Sequence, residues 1–68
     1  MTASEILAKN LKAYRNALGL SQRKFAEKAG LDTKEIYYIE NQLRHAKVDT
    51  LDRLALAIGV SVAELLEE

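Results

Sequence analysis

The 68-residue sequence predicts an all-α fold of five short helices, and three observations carry that expectation. Gly19, Gly30 and Gly59 each close an apolar-periodic segment, as glycine does just past a helix C-terminus. Each is followed by one apolar residue and then a capping type: Leu20-Ser21, Leu31-Asp32 and Val60-Ser61. No stretch alternates apolar and polar residues with period two, so no strand is expected.

The helices are expected at about 4–18, 22–29, 33–42, 50–58 and 62–67. Thr2 with Glu5 opens the first, and Leu7, Leu11, Tyr14 and Leu18 recur along it as one stripe. The second follows Ser21 and offers Phe25, Ala26 and Ala29 to the core. Asp32 and Glu35 have capping-box spacing ahead of the third, which contributes Ile36, Ile39 and Leu43. Asp49 and Asp52 are a weaker start signal for the fourth, with Leu51, Leu54, Ala55 and Ile58 turned inward. Ser61 and Glu64 open the fifth, where Leu65 packs with Val62 or Leu66.

Composition narrows the function classes. With 49% apolar and 29% charged residues the chain reads as one ordinary globular domain, residues 1–68. The absence of cysteine removes disulfides, zinc–thiolate sites and thiol nucleophiles. A single histidine, His45, cannot build a multi-histidine metal cluster and reads as a loop residue. With no glycine-rich phosphate loop and no nucleophile–base constellation, neither an enzyme nor a cofactor, metal or small-molecule ligand is expected. No apolar run approaches the roughly 18 residues a membrane helix needs, and the amino terminus lacks a signal-peptide plan, so a cytoplasmic protein is expected.

The net charge of zero hides an asymmetry. Through Val48 nine basic residues face five acidic ones, a balance of +4; from Asp49 onward Arg53 alone opposes five acidic residues, a balance of −4. Two readings fit: a solvated surface with an acidic tail, or a basic face for a polyanion with an acidic far side.

Two charges fall beside the buried stripes. Arg15 follows Leu11 by four residues, and Glu40 follows Ile36 by four. A lone charge there is expensive, whereas a bidentate guanidinium–carboxylate pair is tolerable. The residues alone leave open whether the two pair or reach water separately.

Residues 22–41 carry the most specific pattern. Two short helices joined around Gly30 must cross steeply: Ala26 is small enough for close approach, Gly30 permits a positive φ, and Leu31, Ile36 and Ile39 wedge the pair onto the core. This is a helix-turn-helix arrangement, whose second helix is presented outward. The run S-Q-x-x-F-A-x-x-A-G-L-D-x-x-x-I-x-x-I-E from Ser21 to Glu40 closely resembles the lambda-repressor-like (Cro/repressor, XRE-type) family of phage and bacterial transcriptional regulators. The resemblance extends to L-x-x-Y-R before it and T-L-x-x-L-A-x-A-I-G-V-S-x-x-E-L-L behind it, from about Leu7 to Leu66.

That resemblance implies a compact five-helix bundle with the third helix in the DNA major groove, and a pairing of Arg15 with Glu40. The sequence departs from the family pattern after Glu40, where Gln42 and Ala46 replace a common glycine and proline and Leu43 a common basic residue. A differently shaped 41–48 loop is therefore expected, for instance through an extra turn on the third helix. The phosphate contacts usually made there are put in doubt.

With Ile36, Ile39 and Glu40 turned inward, the third helix presents Thr33, Lys34, Tyr37, Tyr38 and Asn41. Lys34 can donate to guanine O6 and N7, and Thr33 can bond a base edge or touch a thymine methyl. Tyr38 matches a family base-contacting position; Tyr37 reads either as a base contact or as lying over the protein surface. Gln22 resembles the family residue that bonds a phosphate and braces the recognition helix. Arg23, Asn41, Arg44 and Lys47 are candidates for the rest of a phosphate clamp, although Arg44 and Lys47 equally suit a solvated loop.

The resemblance also implies a homodimer on a pseudo-palindromic double-stranded DNA operator. Leu56, Val62, Leu65 and Leu66 near the C-terminus offer apolar area for that dimer. The resulting expectation is a bacterial or phage-encoded, nucleoid-associated regulator, repressor-like in action. The alternative is a protein-interaction module, an antitoxin or anti-regulator, using the Tyr37–Tyr38 surface.

Overall fold

The computed structural model describes residues 1–68 as α1 (Ala3–Ala17), α2 (Gln22–Ala29), α3 (Thr33–Glu40), α4 (Val48–Ile58) and α5 (Val62–Leu65), with no strand. Each of the first three helices and the last starts on a side chain that captures an orphan backbone donor. Thr2 with Glu5 and Ser61 with Glu64 form full capping boxes. Ser21 accepts from the Lys24 amide at 3.1 Å, and Asp32 accepts from the Lys34 amide at 3.1 Å. None of these helices is long enough and apolar enough to cross a membrane.

The core is built from one face of each helix. Phe25, Leu11, Ile36, Leu54 and Leu65 are its largest fully buried side chains, and Leu7, Ala26, Ala29, Ile39, Ala55 and Ala57 complete it. Tyr14, Leu51, Ile58, Val62 and Leu66 pack against its edge. α3 lies chiefly against α2 and α1, and α2 also leans on α4. Ala26 at the α2 crossing is itself buried, as close helix approach requires.

Several expectations need correction. The third helix does not gain a turn but stops at Glu40. The Leu43 amide bonds the Tyr38 carbonyl at 2.8 Å and the Gln42 amide bonds Ile39 at 3.1 Å, the six-to-one and five-to-two bonds of a Schellman stop. Such a stop needs a left-handed residue, and Gln42 supplies it with φ 58°, unlike the glycines at the other turns. The chain reverses there, so Leu43 is 61% exposed instead of joining the core.

Leu18 is also outside the core, at 42% exposed, because α1 ends at Ala17 and Leu18 is its capping residue. α4 begins two residues before its expected start, at Val48, with Lys47 at the cap and no side-chain bond there. Asp49 therefore sits inside the first turn, where a carboxylate meets the positive end of the helix. α5 is shorter than expected, ending at Leu65.

Candidate nucleic-acid interface

α3 is fixed from behind before anything in front of it matters. Ile36 and Ile39 anchor it in the core, and Glu40 closes the same face with a buried polar cluster. Arg15 donates from Nε to Glu40 Oε2 at 2.7 Å and from Nη2 to Oε1 at 3.0 Å, a bidentate fork between α1 and α3. The two side chains are only 11% and 3% exposed. Arg15 Nη1 donates to the Leu20 carbonyl at 2.8 Å, and Gln22 Nε2 donates to Glu40 Oε1 at 3.2 Å. No buried side-chain polar atom lacks a partner.

The expected Arg15–Glu40 pair is thus present, and Gln22 joins it. Hydrogen bonding to Glu40 raises the Arg15 pKa above its ordinary value, with the carboxylate's charge adding to this and burial opposing it. A raised basic pKa stabilises the fold wherever the arginine is charged, so that contribution is complete at neutral pH and is lost only as alkaline pH rises through the raised value.

In front, the N-terminal turn of α3 is open. Thr33 and Lys34 are exposed, and the Lys34 ammonium makes no ion pair. Tyr37 is 48% exposed, while Tyr38 is half-buried. Their rings meet edge to face at 6.0 Å with an interplanar angle of 65°. The Arg44 guanidinium lies over the Tyr38 ring, 4.5 Å from its centroid.

The other expected phosphate ligands are more dispersed. Arg23, at the start of α2, is exposed and pairs loosely with Glu27 at 3.6 Å. Asn41 donates its side-chain amide to the Tyr37 carbonyl at 2.8 Å, capping α3. Lys47 is exposed at the start of α4 and forms no side-chain bond. The structure therefore gathers Thr33, Lys34, Tyr37, Tyr38, Asn41 and Arg44 around α3, ties Gln22 to that helix through Glu40, and leaves Arg23 and Lys47 at flanking helix starts.

At the far side the apolar residues expected to pair two chains divide. Leu65 is fully buried in this chain's own core, so it is not available to a partner; Val62 and Leu66 pack partly against that core. Leu56 is 84% exposed on α4. α5 is held by Asn10, whose side-chain amide donates to the Leu65 carbonyl at 2.9 Å and to Glu67 at 2.7 Å. Sequence reasoning missed Asn10; the available signal was an amide placed between Leu7, Leu11 and Tyr14 at the rim of an apolar stripe. It also missed the stacking of Arg44 on Tyr38. His45 is an exposed loop residue, and its Nδ1 shares a 3.0 Å hydrogen bond with the Ser4 hydroxyl of α1.

The comparisons agree with the helix-turn-helix fold. A family model described as helix-turn-helix matches residues 11–65. The control protein C.SmaI of Serratia marcescens is 42% identical over 66 residues, which span 97% of this chain and 79% of that protein. The restriction-modification controller protein C.AhdI of Aeromonas hydrophila superposes with a TM-score of 0.86 at 29% identity, over 91% of this chain and 94% of that one. The N-terminal DNA-binding domain of SinR from Bacillus subtilis superposes with a TM-score of 0.88 at 31% identity, covering 94% of each chain. SinR has been solved in complex with DNA, where the match has a TM-score of 0.84 at 31% identity and covers 90% of this chain and 98% of that one. It has also been solved with the protein SinI, with a TM-score of 0.85, 32% identity and coverage of 91% and 61%.

Proposed function

The chain belongs to the helix-turn-helix family, and from that premise we propose that it is a sequence-specific, double-stranded-DNA-binding transcriptional regulator. Residues 1–68 act as a single DNA-binding domain with the helix-turn-helix at 22–41. The observation that carries this reading is the arrangement of α3. Its inner face is pinned by Ile36, Ile39 and the Arg15–Glu40–Gln22 cluster, while Thr33, Lys34 and Tyr37 stand exposed on the other side. The likeness to SinR, solved on DNA, supports the same reading.

In this role α3 enters the major groove N-terminus first, the geometry of the helix-turn-helix class. Lys34 donates to guanine acceptors, Thr33 meets a base edge or a thymine methyl, and the tyrosine rings lie against the bases. Gln22, Arg23, Asn41 and Lys47 orient the domain on the phosphates, contacts that position without specifying sequence. Gln22 has a second task, since its amide also braces Glu40. The functional unit is a homodimer on a pseudo-palindromic operator, joined through the C-terminal region. The exposed Leu56 supports this surface, with the half-buried Val62 and Leu66 further along the chain. A DNA partner also implies a nucleoid-associated protein in the cytoplasm.

The test is selection of bound sequences from a random duplex library at near-physiological salt, alongside a Thr33→Ala/Lys34→Ala/Tyr38→Ala triple variant. The expected result is an enriched two-fold symmetric site that the triple variant loses. Failure of the parent chain to enrich any sequence would overturn the reading.

A second reading, a protein-interaction module using the same fold, is favoured by the exposure of Tyr37 and Leu43 and by the SinR–SinI complex. Salt separates the two. DNA affinity falls with a logarithmic slope near −0.9 per phosphate contact, whereas a tyrosine-led protein interface changes little.

A further inference from the structure

We infer that Arg44 is a positioning residue for base recognition, acting through the Tyr38 ring and not as one more phosphate ligand. The inference rests on the DNA-binding reading above and deepens it at one side chain.

The argument begins with the turn after α3. The Schellman stop at Gln42 folds the chain back, tied by the 2.8 Å bond from the Leu43 amide to the Tyr38 carbonyl. The next residue, Arg44, is thereby carried back over α3, although six positions separate it from Tyr38. Its guanidinium stands 4.5 Å from the ring centroid, within the range where a cation is attracted by the negative face of an aromatic ring. Arg44 makes no ion pair with any carboxylate, so no acidic side chain competes with the ring for the charge.

The ring is constrained from a second direction by Tyr37, edge to face at 6.0 Å. Tyr38 also sits one turn beyond Lys34 on the same helix, next to the side chain assigned to guanine. A half-buried ring bracketed by a guanidinium and another ring has fewer orientations than a free one. It meets a base with less ordering still to do, which is how preorganisation increases affinity for the correct partner. Arginine suits this task because its planar group can stack while remaining charged; lysine keeps the charge and loses the plane.

The two roles for Arg44 predict different losses. A phosphate ligand weakens binding to every sequence nearly equally and removes about one from the salt slope when it is truncated. A residue that orients Tyr38 relaxes discrimination at the base position Tyr38 reads. On the strength of an exposed cation–ring contact, that relaxation should be roughly threefold.

The experiment compares the parent chain with Arg44→Ala, Arg44→Lys, Tyr38→Ala and the Arg44→Ala/Tyr38→Ala double variant. Each is read by library selection and by affinity for the enriched duplex and its single-position mismatches. Proton NMR of the free protein accompanies them. The expected result has three parts: Arg44 side-chain resonances shifted upfield in the parent and restored in Tyr38→Ala; the same base position relaxed by Arg44→Ala and Tyr38→Ala; and no further relaxation there in the double variant. Arg44→Lys, which keeps the charge and loses the plane, should leave general affinity at the parent level and should not restore the parent's full discrimination at that position.

A uniform loss in Arg44→Ala with the base preferences intact overturns the inference and makes Arg44 a phosphate contact. So does a Tyr38→Ala variant that relaxes no position, or an Arg44 spectrum indifferent to Tyr38. A parent chain that enriches no duplex overturns the DNA reading itself, and this inference falls with it.

Discussion

Along α3, the inward and outward faces answer to different constraints. Inside, Ile36 and Ile39 fill the core and Glu40 satisfies a guanidinium and an amide, so each of these residues is held by several neighbours at once. Outside, Thr33, Lys34 and Tyr37 are exposed, and the lysine ammonium is unpaired. The contrast separates two properties that share eight residues: the inner face sets whether the helix is presented at all, and the outer face sets what it can touch. Substitution on one should therefore leave the other's property almost unchanged.

The strongest way to break this division is Glu40→Ala. It strands a largely buried arginine, and removing one partner of such a pair costs about 3–5 kcal/mol. That is comparable with the roughly 3–5 kcal/mol a core of this size supplies, so denaturant or thermal unfolding should show a domain at the edge of folding. A variant that melts like the parent would mean that the cluster behind α3 does not hold it. Replacing both partners by apolar residues of similar volume should be far milder, because no charge is then left without a partner.

Lys34→Ala is the converse. Affinity for the selected duplex should fall by about 1–3 kcal/mol, with selectivity relaxed at one base position. The melting curve should stay within about 0.5 kcal/mol of the parent, as for surface substitutions away from special contacts. Unchanged selectivity would remove Lys34 from the base-reading set.

Gln22→Ala tests whether any residue serves both faces. Its amide lies on the Glu40 carboxylate at 3.2 Å, so its loss should cost about 1.5 kcal/mol in unfolding, the lower end of the net value of a hydrogen bond to a charged group. If the side chain also reaches a phosphate, affinity for specific and unrelated duplexes should fall together. A loss confined to the specific site would contradict the phosphate role and leave only the brace.

How much of this was legible in the sequence follows the same division. Ile36, Ile39 and Glu40 were readable as inward because a helical period states which residues share that face, while the pairing of Glu40 with Arg15 came from the family resemblance and not from the period. The dimer surface was not, because apolar content does not say which core a side chain fills: Leu65 is fully buried in this chain's own core, while Leu56, equally apolar, is 84% exposed. Arg44 was ambiguous between clamp and solvated loop because its place depends on the turn before it. That turn was misjudged for a definable reason. Glycine is the usual sign of a left-handed stop, and its absence at Gln42 suggested a longer helix, whereas the backbone bonds to Tyr38 and Ile39 impose the stop on glutamine.

Gln42→Gly is the smallest and sharpest probe of that conclusion. A residue with a Cβ held at φ 58° bears a left-handed penalty of about 1–2 kcal/mol. Glycine removes the penalty but gives up roughly 0.5–1 kcal/mol through the greater freedom of the unfolded chain. The net expectation is a gain of about 0–1.5 kcal/mol, seen as a higher denaturant midpoint with an unchanged slope. A longer α3 in the native protein would reverse the sign, because glycine would then interrupt a helix. Stabilisation with intact operator preference would show that the turn serves only to stop α3. Stabilisation with relaxed preference at the Tyr38 position would show that the strained glutamine turn holds Arg44 over the ring more tightly than a glycine turn does.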